Sequence, residues 1–176
     1  VVRNESPYKS LKELLDAAKA KPNAIRVGGS SVGSSDHIIT MMMNKAAGVK
    51  LNFIVFQSGG EANAALLGGS IDFAGPNPSE AAQLIAAKRL RPIAMFSPER
   101  LPQWKDVPTA REQGLDITFE QHRGLILPGG LGKEQIAFWR DAIVKMFETP
   151  AFKKYMDDNG LRPLLKVGDD AEKYIA

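Results

Sequence analysis

The chain has 176 residues, 44% of them apolar and 24% charged, a net charge of +3 and no cysteine. That length suffices for a sizeable core, and the missing cysteine excludes disulfides, thiolate catalysis and cysteine-bound zinc together. Basic residues such as Lys19, Lys21, Arg89, Arg91, Lys153 and Lys154 are scattered, so nothing marks a nucleic-acid partner, and no apolar run approaches the length of a membrane span.

Taken in order, Ser10-Leu11-Lys12-Glu13 reads as a capping box, with Leu11, Leu14, Leu15 and Ala18 on one helical face and Pro22-Asn23 ending the helix. A strand is expected over 24–28, then a helix over 35–47 stopped by Gly48. Residues 51–56 read as a second strand, 62–67 as a short helix, 71–74 as a third strand and 80–88 as an alanine-rich helix. Residues 91–96 read as a further strand. Residues 97–109, with three prolines and Trp104, read as a surface loop. A helical turn at 110–114 and strands at 117–119 and 124–127 follow, the latter pair flanking His122-Arg123. The rest is mostly helical, over 133–147, 151–158 and 169–175, with 161–167 extended. Strands alternating with helices argue for an α/β protein with a largely parallel sheet.

Three loops carry the candidate chemistry. Gly28-Gly29-Ser30-Ser31-Val32-Gly33-Ser34-Ser35-Asp36-His37 joins a strand to a helix start, and Gln57-Ser58-Gly59-Gly60-Glu61 repeats the arrangement after the next strand. Glycines admit a ligand close to the backbone, serines add donors, and a helix N-terminus attracts an anion, either a phosphate or a carboxylate. Each loop alone reads equally as a tight turn with a serine cap. In a parallel sheet, however, successive loops of this kind lie at one edge. A third, Gly75-Pro76-Asn77-Pro78-Ser79, follows the next strand, and Asn77 serves either as a ligand amide or as a turn residue. Asp72 and Glu61 are acids with structural roles available to them at a strand end and a helix start.

Catalytic patterns are thin. Ser34-Ser35-Asp36-His37 brings the residue types of a triad together, but adjacency is not triad geometry. There is no nucleophile elbow, Walker lysine or dinucleotide spacing. No cofactor or metal is expected, and no catalytic residue.

These residues, in order, resemble the substrate-binding receptors of tripartite tricarboxylate transporters, the Bug family. The resemblance rests on Lys9-Ser10-Leu11-Lys12-Glu13-Leu14, the glycine-serine loop with His37, Ala47-Gly48-Val49, Ser58-Gly59-Gly60-Glu61-Ala62, Leu66-Leu67-Gly68-Gly69-Ser70-Ile71-Asp72, Leu90-Arg91-Pro92-Ile93-Ala94 and Asp106-Val107-Pro108-Thr109. It continues through Glu112-Gln113-Gly114, Gly124-Leu125-Ile126-Leu127-Pro128-Gly129-Gly130 and Asn159-Gly160-Leu161-Arg162-Pro163.

The resemblance implies a type II periplasmic-binding-protein-like α/β fold, a parallel-rich sheet flanked by helices, in a two-domain receptor that closes over a small carboxylate. Residues 5–123 would be a nearly complete domain 2 and 124–176 the C-terminal return segment of domain 1, whose N-terminal part is absent from this sequence. It further implies a periplasmic location, membrane permease subunits as partners, no membrane insertion and no enzymatic activity. Carried over residue by residue, Ser31, Gly33, Ser34, Ser35 and His37 face the carboxylate, and Gly59, Gly60 and Glu61 flank it, with Asp72 and Asn77 as further candidates. Where the family has an aromatic-lysine pair before Gly59-Gly60, this chain has Gln57-Ser58, which removes a ring and a charge. Two other readings stay open: the effector-binding domain of a transcriptional regulator, and a small α/β enzyme acting on an anionic substrate through His37.

Overall fold

Ser10 opens the first helix as its spacing predicts: its hydroxyl accepts from the Glu13 N–H at 3.1 Å, while Glu13 takes the Lys9 N–H at 2.7 Å. In the computed structural model, which describes residues 1–175, this helix is α1, Leu11–Ala20. It buries Leu11, Leu14, Leu15 and Ala18, the stripe that helical periodicity selects. A short strand, β1 (Val2–Arg3), precedes it. Three β–α units then follow: β2 (Arg26–Gly29) with α2 (Ser35–Ala47), β3 (Asn52–Val55) with α3 (Gly59–Leu67), and β4 (Phe73–Ala74) with α4 (Pro78–Ala86). Strand β5 (Leu90–Arg91) closes this series, and short 3-10 turns lie at Pro102–Trp104 and Arg111–Gln113.

Strands β3, β2 and β4 pair in that order and all in parallel, with Val27 opposite both Phe53 and Phe73. Antiparallel β1 pairs with β5. Val1 and Ala74 exchange both backbone hydrogen bonds, at 2.7 and 3.1 Å, as an antiparallel pair does, so the two sheets join in the order β3-β2-β4-β1-β5.

Side chains alternate across this layer with the period of two that strands impose. Phe73 joins Leu11, Leu14, Val27, Met43 and Ile93 in the larger core, on the side of α1 and α2. Its neighbour Ala74 joins Leu66, Ile71 and Leu90 on the side of α3 and α4. Helices therefore cover both faces, the arrangement a parallel sheet needs to bury its apolar strands.

Several elements differ from the expectations. Helix α3 starts at Gly59, three residues before the expected 62, because Ser58 and Glu61 cap it and the cap outweighs the poor helix propensity of Gly59-Gly60. Helix α4 starts at Pro78, in the first-turn position where its missing N–H costs nothing. The strand expected over 91–96 shrinks to β5 and one isolated bridge between Met95 and Thr109. Residues 117–119 and 124–127 are not strands: Phe119 donates one bond to the Phe96 carbonyl, and Ile126 is 96% exposed with no pairing partner among the described residues.

The chain divides into two units, Val1–Gln121 and a second beginning at His122. The second contains α5 (Lys133–Glu148), α6 (Pro150–Asp158) and α7 (Asp169–Ile175). Within it, Thr149 caps α6 by accepting from the Phe152 N–H, and His122 Nε2 lies 2.7 Å from the Tyr174 hydroxyl.

Candidate functional site

Because β2, β3 and β4 are parallel and each runs straight into a loop and a helix, the starts of α2, α3 and α4 all lie at the carboxyl edge of the sheet. The first-turn N–H groups of a helix lack intrahelical acceptors. Three sets of such donors therefore face one region, and the site is built around them.

At the first loop, Ser34 caps α2. Its Oγ accepts from the His37 N–H at 3.4 Å and donates to the Ser31 carbonyl at 2.8 Å. Gly33 has φ +86°, a left-handed conformation that makes this turn possible for glycine at little cost. The Gly33 N–H donates to His37 Nδ1 at 3.2 Å. With Nδ1 accepting, the neutral ring carries its proton on Nε2, which is a donor. The ring leans on Phe53, centroid to centroid 4.9 Å. Gly29 is demanded by packing: a Cβ there would fall 2.5 Å from the Cβ of Asp36 and 2.7 Å from the Phe53 ring.

Ser31, Gly33, Ser34, Ser35 and His37 thus gather at the start of α2. The Ser34 hydroxyl is committed to Ser31 and to the backbone of His37, and His37 Nδ1 to Gly33, so Ser34, Asp36 and His37 form no proton relay.

The second loop places Gly59 and Gly60 in the first turn of α3, with Ser58 accepting from the Glu61 N–H at 3.2 Å. Glu61 reaches back to the Gln57 N–H at 2.7 Å, so its carboxylate serves the cap while the Gly59 and Gly60 amides stay available. At the third loop Asn77 caps α4, and Glu80 accepts from both its N–H, at 3.0 Å, and its side-chain Nδ2, at 3.1 Å.

Asp72 is elsewhere. Its carboxylate takes the backbone N–H, Nε and Nη2 of Arg26, each at 2.9 Å, and Arg26 Nη2 also donates to the Gly69 carbonyl. Arg26 opens β2 and Asp72 precedes β4, so this pair sits at the amino edge, opposite the three loops. Burial alone would raise the Asp72 pKa, but the hydrogen bonds and charge of Arg26 outweigh it and hold the group below its ordinary value.

Two acids that the sequence did not mark as ligand-binding residues lie among the loops. Asp36 is partly buried; the Ser30 N–H donates to its Oδ2 at 3.4 Å, and its Oδ1 stands 3.4 Å from where a Cβ on Gly75 would be. Burial raises its pKa, and the negative charge of Glu80 adds to the rise, against the Ser30 hydrogen bond. The Glu80 Oε2 stands 3.3 Å from a Cβ position on Gly59, which joins the third loop to the second. The sequence signal for both was their place in a first helical turn, where a cap or a dipole partner is the ordinary reading. Among the described residues no cluster of His, Cys, Asp and Glu is suited to a metal ion, and no helix is long and apolar enough to cross a membrane.

Comparison with known proteins gives the geometry its context. The family model described as the tripartite tricarboxylate transporter family receptor matches residues 1–176. A UPF0065 protein of Cupriavidus necator is 26% identical over 163 residues, which is 93% of this chain and 50% of that protein. A crystal structure of a TctC solute-binding protein from Polaromonas, without ligand, superposes with a TM-score of 0.78 at 28% identity, covering 99% of this chain and 59% of that one. An R. palustris protein solved with adipate gives a TM-score of 0.87 at 20% identity, covering 99% of this chain and 58% of its own, and supports the fold. The chain spans about half the length of the curated relatives it matches. With the whole sequence matched by one family model, the chain belongs to the receptor family of the tripartite tricarboxylate transporters.

Proposed function

We propose that this chain forms one wall of a periplasmic receptor cleft that captures a small carboxylate and delivers it to the permease subunits of a tripartite transporter, without chemical change. The observation that carries this reading is the gathering of the α2, α3 and α4 starts at one sheet edge, where first-turn amides and the Ser31, Ser35 and His37 side chains offer donors. Donors without a committed nucleophile suit binding rather than turnover. The adipate held by the R. palustris protein supports a carboxylate as the cargo. Membership of a transporter receptor family supports permease partners and a periplasmic location.

The site comprises Ser31, Gly33, Ser34, Ser35 and His37 from the first loop and Gly59, Gly60 and the cap of Glu61 from the second. Asn77 borders it through its cap on α4, and Asp72 serves the Arg26 end of the sheet instead. Residues 5–123 form domain 2 of the receptor, and 124–176 form the return segment of domain 1. Support for this division comes from the unit boundary after Gln121 and from relatives of about twice the length. The exposure of Phe138 and Ile175 within the second unit also supports it.

A thermal-shift screen of small carboxylates, followed by titration calorimetry, tests the reading. Replacing Ser34 and Ser35 together by alanine is expected to weaken binding of the best carboxylate by about 1–3 kcal/mol, the scale of lost hydrogen bonds to a charged group. Unchanged affinity would remove the first loop from the site.

A further inference from the structure

Chain order makes one place on the carboxyl edge distinct. From β2 the chain passes through α2 to β3 on one side, then through α3 to β4 on the other, so the strand order reverses between β2 and β4. Helix α2 packs into the larger core through Ile39 and Met43, and α3 into the smaller one through Leu66, so the two helices leave on opposite faces of the sheet. A crevice opens at such a point, and ligands of open parallel sheets settle in it.

Asp36 stands at this crevice. A Cβ on Gly29, the last residue of β2, would lie 2.5 Å from the Asp36 Cβ, and one on Gly75, just beyond β4, would lie 3.4 Å from its Oδ1. Its Oδ2 receives the Ser30 N–H at 3.4 Å. Its Oδ1 accepts nothing among the described residues. That atom is also open to solvent, since the buried side-chain atoms without a partner among these residues are Asn63 Oδ1 and Arg91 Nε.

The charged neighbours do little to hold Asp36 ionised. Burial raises its pKa and Glu80, acting on it from α4, adds to the rise, while the Ser30 hydrogen bond and the Val1 amino group beside β1 oppose it. Burial pushes that amine down to about 5, so it is uncharged at pH 7. On the same helix, His37 turns to Gly33 and Phe53. A carboxylate drawn to the first-turn amides of α2 and α3 brings a second negative charge to this place. Two carboxylates that share a site cannot easily both stay ionised. A proton on Oδ1 turns the repelling group into a donor, and a bond from it to an anionic oxygen is charge-assisted.

We infer that Asp36 is a ligand-contact residue that acts in its neutral form: the receptor takes up a proton from solvent together with its carboxylate, and Asp36 Oδ1 donates it in a hydrogen bond to the bound anion. The inference rests on the carboxylate reading of the adjoining amides.

Titration calorimetry with adipate, on the receptor that carries this chain, tests it between about pH 6 and pH 8, above the ordinary carboxylate range, where the ligand stays ionised. Affinity is expected to fall by up to about tenfold per pH unit, the slope of one proton taken up per ligand, and buffers of different ionisation enthalpy are expected to report that uptake directly. Asp36→Asn keeps an acceptor for Ser30 and presents a permanent N–H donor. It is expected to bind adipate about tenfold more tightly than the parent at pH 8, with the pH slope gone. A structural role alone would not raise affinity. Histidine titrates in this window as well, so a slope that persists in Asp36→Asn assigns the proton to His37 and overturns the inference. Flat affinity without proton uptake, or an Asp36→Asn variant that binds no more tightly at pH 8, overturns it too and leaves the amide rim standing. Failure of adipate and of every carboxylate in the screen to bind at either pH overturns the rim and the inference together.

Discussion

Asp36 and Asp72 are both partly buried aspartates beside the same sheet, and their surroundings push them in opposite directions. Asp72 accepts two hydrogen bonds from the Arg26 guanidinium and a third from the Arg26 backbone N–H, and stays ionised below its usual range. Asp36 has a single backbone donor and the negative charge of Glu80 nearby, so its proton is held more tightly in the folded protein than in the unfolded chain. For an acid with a raised folded pKa, stability is greater where the group is protonated and is lost as pH rises through the folded value. Asp36→Asn, which keeps the shape and an acceptor for Ser30, is therefore expected to raise the melting temperature at pH 7. The gain should shrink as pH falls below the ordinary carboxylate range, where Asp36 is itself neutral. Thermal denaturation at several pH values checks this, and a variant less stable at pH 7 would show that Asp36 is held in place by favourable partners.

Helix starts decide where the chemistry lies. The Ser34 and Ser58 hydroxyls cap α2 and α3, and at the start of α4 the Glu80 carboxylate takes the Asn77 N–H; these bonds fix which amides remain open. Ser58→Ala removes the acceptor for the Glu61 N–H and is expected to cost about 1 kcal/mol of stability, measurable by urea denaturation with an unchanged m-value. No loss would mean that the Glu61 arm of the box suffices. The same elements mark what could be read from the sequence. A capping box and an apolar stripe foretold α1, and the Gly48 stop foretold the end of α2, because those signals are local, contained within one or two turns. The start of α3 was misplaced because Gly59-Gly60 reads as a loop by propensity, while its cap is a matter of side-chain geometry. Asp36 and Glu80 escaped as site residues for a different reason. Their roles arise only when separate β–α units are brought side by side, so no spacing within the chain announces them.

At the scale of the whole molecule, the parallel order β3-β2-β4 explains why the loops of three successive β–α units share one edge, as expected where ligands collect at the carboxyl ends of strands. The alternation of strands and helices made this legible in advance. Beyond Phe119 the pattern misled, since the apolar run 124–127 has the composition of a strand without a strand partner among the described residues. Pairing is a non-local property, and apolar composition alone cannot supply it. The central claim is that the first turns of α2 and α3 receive a carboxylate, and backbone amide NMR during a titration with adipate tests it most directly. The account predicts saturable shifts at the amides of Ser35, Asp36, Gly59 and Gly60, with Arg26 and Asp72 at the opposite edge unmoved. Shifts centred on Arg26 and Asp72, or saturable binding that leaves the four first-turn amides unmoved, would contradict it.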